Sequence, residues 1–196
     1  MKTTRVGIAY EGGSDIEVLK IWTRRIFGEC GLNCEDMLFS DATPSTGLLG
    51  FLPVFMRKFD DERAVMAVFC TDQDKDADSR RRQIMQRAME INPAFAERVV
   101  AAVPSPHIEK WLLLQDSVVK NILMLDGAEK LPHANEQPKY QLTMLYSESN
   151  YKGSLRELKM QIAKEMDLGY SARNNAEFGH FLQDVMNIAN RLKEEI

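Results

Sequence analysis

The feature that most constrains this chain is the run Ala64 to Cys70 (AVMAVFC), apolar throughout and followed at once by an acidic turn. A short apolar run bounded in this way suits a strand buried on both faces, and such strands belong to parallel sheets covered by helices on each side. The neighbouring segments fit the same frame. Thr4 to Tyr10 (TRVGIAY) is a strand candidate, and Glu11-Gly12-Gly13-Ser14 is a turn in which Ser14 or Asp15 can cap the next helix. That helix carries Ile16, Leu19, Trp22 and Ile26 at helical spacing, and Gly28 and Gly31 end it. Cys34 to Phe39 is a short strand, and Leu48 to Lys58 a helix. Ser79 to Ile91 is a helix stopped by Asn92-Pro93, and Arg98 to Val103 is a strand. Pro104-Ser105-Pro106 breaks that strand, and Ile108 to Leu125 follows as one long helix. Strand and helix in alternation predict an α/β fold with a mostly parallel sheet.

The last third has a different texture. Residues 126–151 are polar and without a period, and contain Pro132 and Pro138. Beyond them, Leu155, Leu158, Ile162 and Met166 mark one amphipathic helix, and Phe178, Phe181, Val185, Ile188 and Leu192 another. The expected organisation is an α/β core over 1–125, an irregular connection over 126–151, and a C-terminal helical appendage over 152–196 packed on the core.

Acidic residues fall where the strands end. Glu11 follows the first strand, Asp72 and Asp74 follow the apolar strand, and Glu109 comes just past the Pro-Ser-Pro break. Open parallel sheets build their sites outside the carboxyl ends of the strands, so this topology gathers these groups at one edge. Two unit charges 4 Å apart repel by about 4 kcal/mol at an effective dielectric of 20. Raised pKa values or a bound cation must answer that repulsion. Oxygen donors without nearby His or Cys suit Mg²⁺, Mn²⁺ or Ca²⁺ better than zinc. Each acid also has a plainer use: Asp76 and Asp78 as turn and helix cap, Glu109 as an acid in a first helical turn, Glu11 as an exposed turn residue. The joint placement of Glu11, Asp72 and Asp74 is what favours a site.

Two other readings of the acidic run fail on particular residues. A calcium-binding helix–loop–helix needs Gly where Ala77 stands and Glu where Gln83 stands. A phosphatase of the haloacid dehalogenase type wants Thr or Val at Asp76 and leaves Glu11 unexplained. Arg80, Arg81 and Arg82 open the next helix, where cations oppose the dipole. Local pairing with Asp76 and Asp78 accounts for them without function, and contact with substrate phosphates is the functional alternative. Cys30, Cys34 and Cys70 lack a completing ligand pair and are taken as reduced structural thiols. Among His107, His133 and His180, only His107, beside Glu109, lies near the candidate site.

Strand–Glu11-Gly12 followed by strand–Asp72-x-Asp74 resembles the Toprim domain of topoisomerases, primases and related nucleases. The segment Pro106-His107-Ile108-Glu109-Lys110-Trp111-Leu112-Leu113-Leu114-Gln115-Asp116 is similar to the E-x-W-L-L-x-x-D segment of a Toprim-like family of small bacterial proteins of unknown function. That family is related to Toprim nucleases of the OLD type and is often described next to ATPases in phage-defence loci. Tyr170 and Phe178-x-x-Phe181 resemble its C-terminal helices. The resemblance implies a Toprim-like sheet and Mg²⁺- or Mn²⁺-dependent phosphoryl transfer. Glu11 would be general acid/base or ligand, Asp72 and Asp74 metal ligands, and Glu109 a further acid for a second metal. Arg80, Arg81 and Lys110 would contact substrate, while Trp111 belongs to the core. A chain of 196 residues leaves no room for the nucleophile domain of a topoisomerase or the extra domains of a primase, so hydrolysis is expected.

Composition bounds the partners. Lys and Arg number 25 and Asp and Glu 29, a net charge of −4, which opposes coating of nucleic acid by bulk charge. It permits metal-bridged contact with a phosphodiester. No apolar run reaches the roughly 18 residues that span a bilayer, and Met1 to Tyr10 lacks a signal-peptide pattern. A cytoplasmic protein with no membrane contact is expected. Three functions compete: a nuclease on DNA or RNA with an ATPase partner, a non-catalytic interaction module, and a phosphatase on a small ester.

Overall fold

The computed structural model describes residues 4–11, 16–34, 36–42, 47–72, 76–125, 131 and 137–195. Four strands, β1 (Arg5–Glu11), β2 (Asp36–Ala42), β3 (Met66–Cys70) and β4 (Val99–Ala102), form one all-parallel sheet in the order β2-β1-β3-β4. Helices α1 (Ile16–Glu29), α2 (Gly47–Asp61), α3 (Ala77–Ile91) and α4 (Pro93–Ala96) connect the strands. After β4 come α5 (Ile108–Leu112), α6 (Asp116–Leu123), α7 (Pro138–Glu148), α8 (Leu155–Glu165), α9 (Leu168–Asn174) and α10 (Ala176–Glu194). The expected α/β class, with a parallel sheet and C-terminal helices, is the observed one. Among the described residues no helix is long and apolar enough to cross a membrane.

The strand order explains the two covered faces. The chain leaves β1 toward β2 and then returns past β1 to β3 and β4. Crossovers of one hand running in opposite directions lay their helices on opposite faces. Alternation along each strand then splits the core. Val6, Ile8, Val68, Cys70, Val100 and Ala102 belong to a cluster with α1, α5, α6, α8 and α10. Ala9, Ala67, Phe69, Val99 and Ala101 belong to a second cluster with α2, α3 and α4. On that second face Phe59 lies so close to β1 that a Cβ at Gly7 would stand 2.5–2.7 Å from its ring.

The C-terminal helices share the first cluster with the sheet. Trp22 of α1 meets Phe178 of α10 edge-on at 5.1 Å, and Trp111 of α5 stacks on Phe181 at 5.8 Å. All four rings are fully buried. The Trp22 indole N–H is directed at the Met166 sulfur, 3.1 Å away.

The structure revises four sequence expectations. Ile108 to Leu125 is two helices, because Gln115 turns its amide into the interior. Its Nε2 donates to Ser171 Oγ at 2.8 Å and to the Asp167 carbonyl, and its Oε1 accepts the Asp167 N–H at 3.0 Å. Residues 126–151 contain α7, which starts at Pro138, a first-turn position where proline's missing N–H costs nothing. The second strand runs Asp36–Ala42, since its pairing extends to Glu11↔Ala42. A short helix, α9, stands between the two predicted C-terminal helices, capped by Asp167 through the Tyr170 N–H at 2.9 Å. The expected cap by Ser14 or Asp15 lies outside the described residues.

Candidate functional site

Parallel pairing sets the site. The last β1–β3 pair is Tyr10↔Cys70, so the next residues on each strand, Glu11 and Thr71, emerge side by side. They emerge between β1 and β3, the two strands from which the chain winds in opposite directions. This is the switch point where an open parallel sheet leaves a crevice.

Glu11 is half-buried and its Oε2 accepts two hydrogen bonds. Thr71 Oγ1 donates at 2.9 Å and the Leu48 N–H at a longer 3.4 Å. Leu48 is the second residue of α2, so its N–H is one of those a helix leaves unpaired at its start, and the positive end of the dipole faces the carboxylate. Gly47 begins α2 at φ +66°, a left-handed conformation that glycine adopts without strain, and a Cβ there would stand 3.7 Å from Glu11 Oε1. Thr71 is 2% exposed. Sequence reasoning passed over it, although a hydroxyl closing a wholly apolar run was the available signal.

Asp72 follows on the same strand end. Its Oδ2 lies 2.8 Å from His107 Nδ1, and the two side chains are 37% and 35% exposed, so solvent ions reach the pair. His107 arrives from β4 through Pro104-Ser105-Pro106, and the Thr71 N–H to Ala102 carbonyl bond of 3.2 Å holds these two exits together. Asp74 lies outside the described residues.

The other predicted residues have protein partners of their own. Glu109 is 3% exposed, and its Oε1 accepts from Lys159 Nζ of α8 at 2.6 Å. Two opposite charges buried together answer each other, so this carboxylate needs no cation to offset it. Lys110 Nζ is 3.6 Å from Glu177 Oε1 of α10, and Glu177 Oε2 accepts the Ser105 N–H at 3.2 Å. Arg81 Nη2 donates to Asp184 Oδ2 of α10 at 2.7 Å, a partner 103 residues away rather than the expected Asp76 or Asp78. Arg80 Nη1 reaches Gln83 Oε1 at only 3.4 Å. Asp76 instead caps α3, its Oδ1 accepting the Ser79 N–H at 2.9 Å. The cleft between Ala77, Asp78, Arg81, Val103, Glu177 and His180 has a volume of about 10 Å³, room for about one water.

Among the described residues, no three His, Cys, Asp or Glu side chains gather into a group that could hold a metal ion. Glu11 and Asp72 contribute two carboxylates at the crevice, and the third expected ligand, Asp74, is outside the described set. The donor chemistry of the two is that of a hard cation such as Mg²⁺ or Mn²⁺. Their surroundings also fit, since hydrogen bonds that orient ligating carboxylates are part of how such sites are built.

The chain matches no protein-family model, no curated protein and no solved structure. The class that its own topology defines is an open, all-parallel α/β sheet covered on both faces, with two acidic strand ends at the switch point.

Proposed function

We propose that this chain is a Mg²⁺- or Mn²⁺-dependent phosphodiester hydrolase of the Toprim type, acting on DNA or RNA in the cytoplasm with an ATPase as partner. The observation that carries the proposal is that Glu11 and Asp72 both stand at the β1–β3 strand ends, each within hydrogen-bond distance of a neighbouring side chain. Glu11, Asp72 and Asp74 would hold the ion. When bound, it supplies positive charge that neutralises phosphate and lowers the pKa of a water.

The chain's own residues do the rest. Thr71 and the Leu48 N–H hold Glu11, leaving it fixed at the crevice as the group that takes or returns a proton. Arg81 and Lys110 flank the strand ends as phosphate contacts, and a phosphate must there compete with Asp184 and Glu177. That competition agrees with the net charge of −4 in predicting brief contact with nucleic acid, not tight coating. Glu109 we assign to structure, on the strength of its bond to Lys159.

A cleavage panel tests the reading. Single- and double-stranded DNA, RNA and transfer RNA are offered with Mg²⁺ or Mn²⁺, with EDTA controls, to wild type and Asp72→Ala. Metal-dependent cutting that Asp72→Ala abolishes is the expected result. Cutting that survives EDTA or the substitution sinks the proposal, and turnover of small phosphate esters alone moves the substrate class.

A further inference from the structure

We propose that His107 is a positioning residue for Asp72, fixing that carboxylate as a metal ligand through Nδ1. The inference rests on the metal-dependent reading above. His107 Nδ1 lies 2.8 Å from Asp72 Oδ2, and because a ligating carboxylate only accepts hydrogen bonds, the tautomer protonated at Nδ1 is the one that makes this bond. His107 occupies the residue before α5 in extended conformation, φ −145° and ψ 161°, where a capping side chain would normally turn to the helix. It makes no such capping bond and reaches instead to a residue 35 positions earlier.

The platform beneath the imidazole is well anchored. Two residues before it, the Ser105 N–H is bound by Glu177 of α10. Just after it, Ile108 is fully buried, Glu109 is paired with Lys159 of α8, and Trp111 is fully buried among aromatic rings. The imidazole therefore projects from a turn fixed on both sides, while Asp72 stands where the regular strand has ended. An aspartate at a strand end turns about two side-chain bonds. The contact with His107 holds Oδ2, the kind of arrangement by which partners of ligating carboxylates raise metal affinity.

The test reads Mn²⁺ affinity directly, by electron paramagnetic resonance or calorimetry, with thermal melts in parallel. Wild type is compared with His107→Ala, His107→Asn, His107→Gln and Asp72→Ala. The Asn amide places a donor near the position of Nδ1, whereas Gln places it farther out. His107→Ala is expected to weaken Mn²⁺ binding by about 10–100-fold. His107→Asn should recover most of that, and Asp72→Ala should abolish binding. Wild-type affinity in His107→Ala, with binding lost in Asp72→Ala, overturns the role of His107 and leaves the metal site standing. Wild-type affinity in Asp72→Ala overturns the metal reading itself. Should His107→Ala not fold, the amides decide: Asn binding tighter than Gln supports the role, and equal affinity overturns it.

Discussion

Thr71 Oγ1 donates to Glu11 Oε2 at 2.9 Å across the junction of β1 and β3. The same oxygen takes the Leu48 N–H, so one carboxylate joins the ends of two strands to the start of α2. The parallel register Tyr10↔Cys70 makes this meeting unavoidable, since whatever follows those residues emerges together. Backbone pairing thus sets a carboxylate beside a hydroxyl.

Thr71→Val tests how far that bond matters to folding. Valine keeps the shape and removes the donor, and among the described residues Glu11 then retains the longer bond from Leu48. Hydrogen bonds to charged groups contribute about 1.5–3 kcal/mol, and Glu11 is partly solvated, so a loss of about 1–2 kcal/mol is expected in urea unfolding. Thr71→Ser keeps the hydroxyl and should lose less. Equal midpoints for Val and Thr would show that water replaces the bond without cost.

Gly7 is fixed by contact rather than by conformation. A Cβ there would stand 2.5–2.7 Å from three ring carbons of Phe59, itself fully buried between α2 and the sheet. Overpacking of this kind costs about 1–3 kcal/mol. Gly7→Ala should lower the unfolding midpoint by a corresponding amount, and adding Phe59→Leu should restore part of it. Additive losses in the double variant would mean that the clash relaxes elsewhere.

Glu109 and Lys159 tie α5 to α8 inside the core, at 3% and 5% exposure. Removing one partner of a buried pair leaves an uncompensated charge, at about 3–5 kcal/mol. Lys159→Met should therefore destabilise strongly, and Lys159→Met with Glu109→Gln should recover a large part. Chemical denaturation of the four proteins in this cycle gives the coupling directly. A double variant no better than Lys159→Met would show that the lysine stem, not its charge, is what the core needs. The same Glu109→Gln protein should bind Mn²⁺ as wild type does, since the Glu109 carboxylate is engaged by Lys159.

The parts of the fold legible in the sequence were those set by local patterns. β3 and β4 declared themselves by unbroken apolar runs, and α1, α8 and α10 by their periodicity. The break at Gln115 was illegible because its cause lies about fifty residues on, in the backbone of Asp167 and the hydroxyl of Ser171. α7 was illegible because it has little apolar stripe and buries Gln141 among leucines, so periodicity found nothing there. At the candidate site, strand ends located Glu11 and Asp72, but partners depend on which helices pack behind them. Nothing near Glu109 in sequence announces Lys159, and nothing near Arg81 announces Asp184.

Cys34 makes stability depend on pH in a defined window. It is 4% exposed in the turn before β2, and burial pushes its thiol up to about 11 from an ordinary 9.0, with Asp36 adding to the rise and Arg24 opposing it. Below pH 9 the thiol is protonated in both folded and unfolded chains, and its contribution is complete. Between about 9 and 11 the unfolded thiol ionises while the folded one keeps its proton, so stability falls as pH rises. Above that window both forms are ionised and the fall ends. Two pKa units correspond to a loss on the order of 2–3 kcal/mol. Burial also raises Tyr10, Tyr151 and Cys30, but these titrate alike in wild type and Cys34→Ala and cancel in the difference. The measurement is the unfolding free energy of both proteins at pH 8 and pH 11. Wild type should lose its margin over Cys34→Ala across that interval, and a margin independent of pH would place the thiolate in contact with solvent.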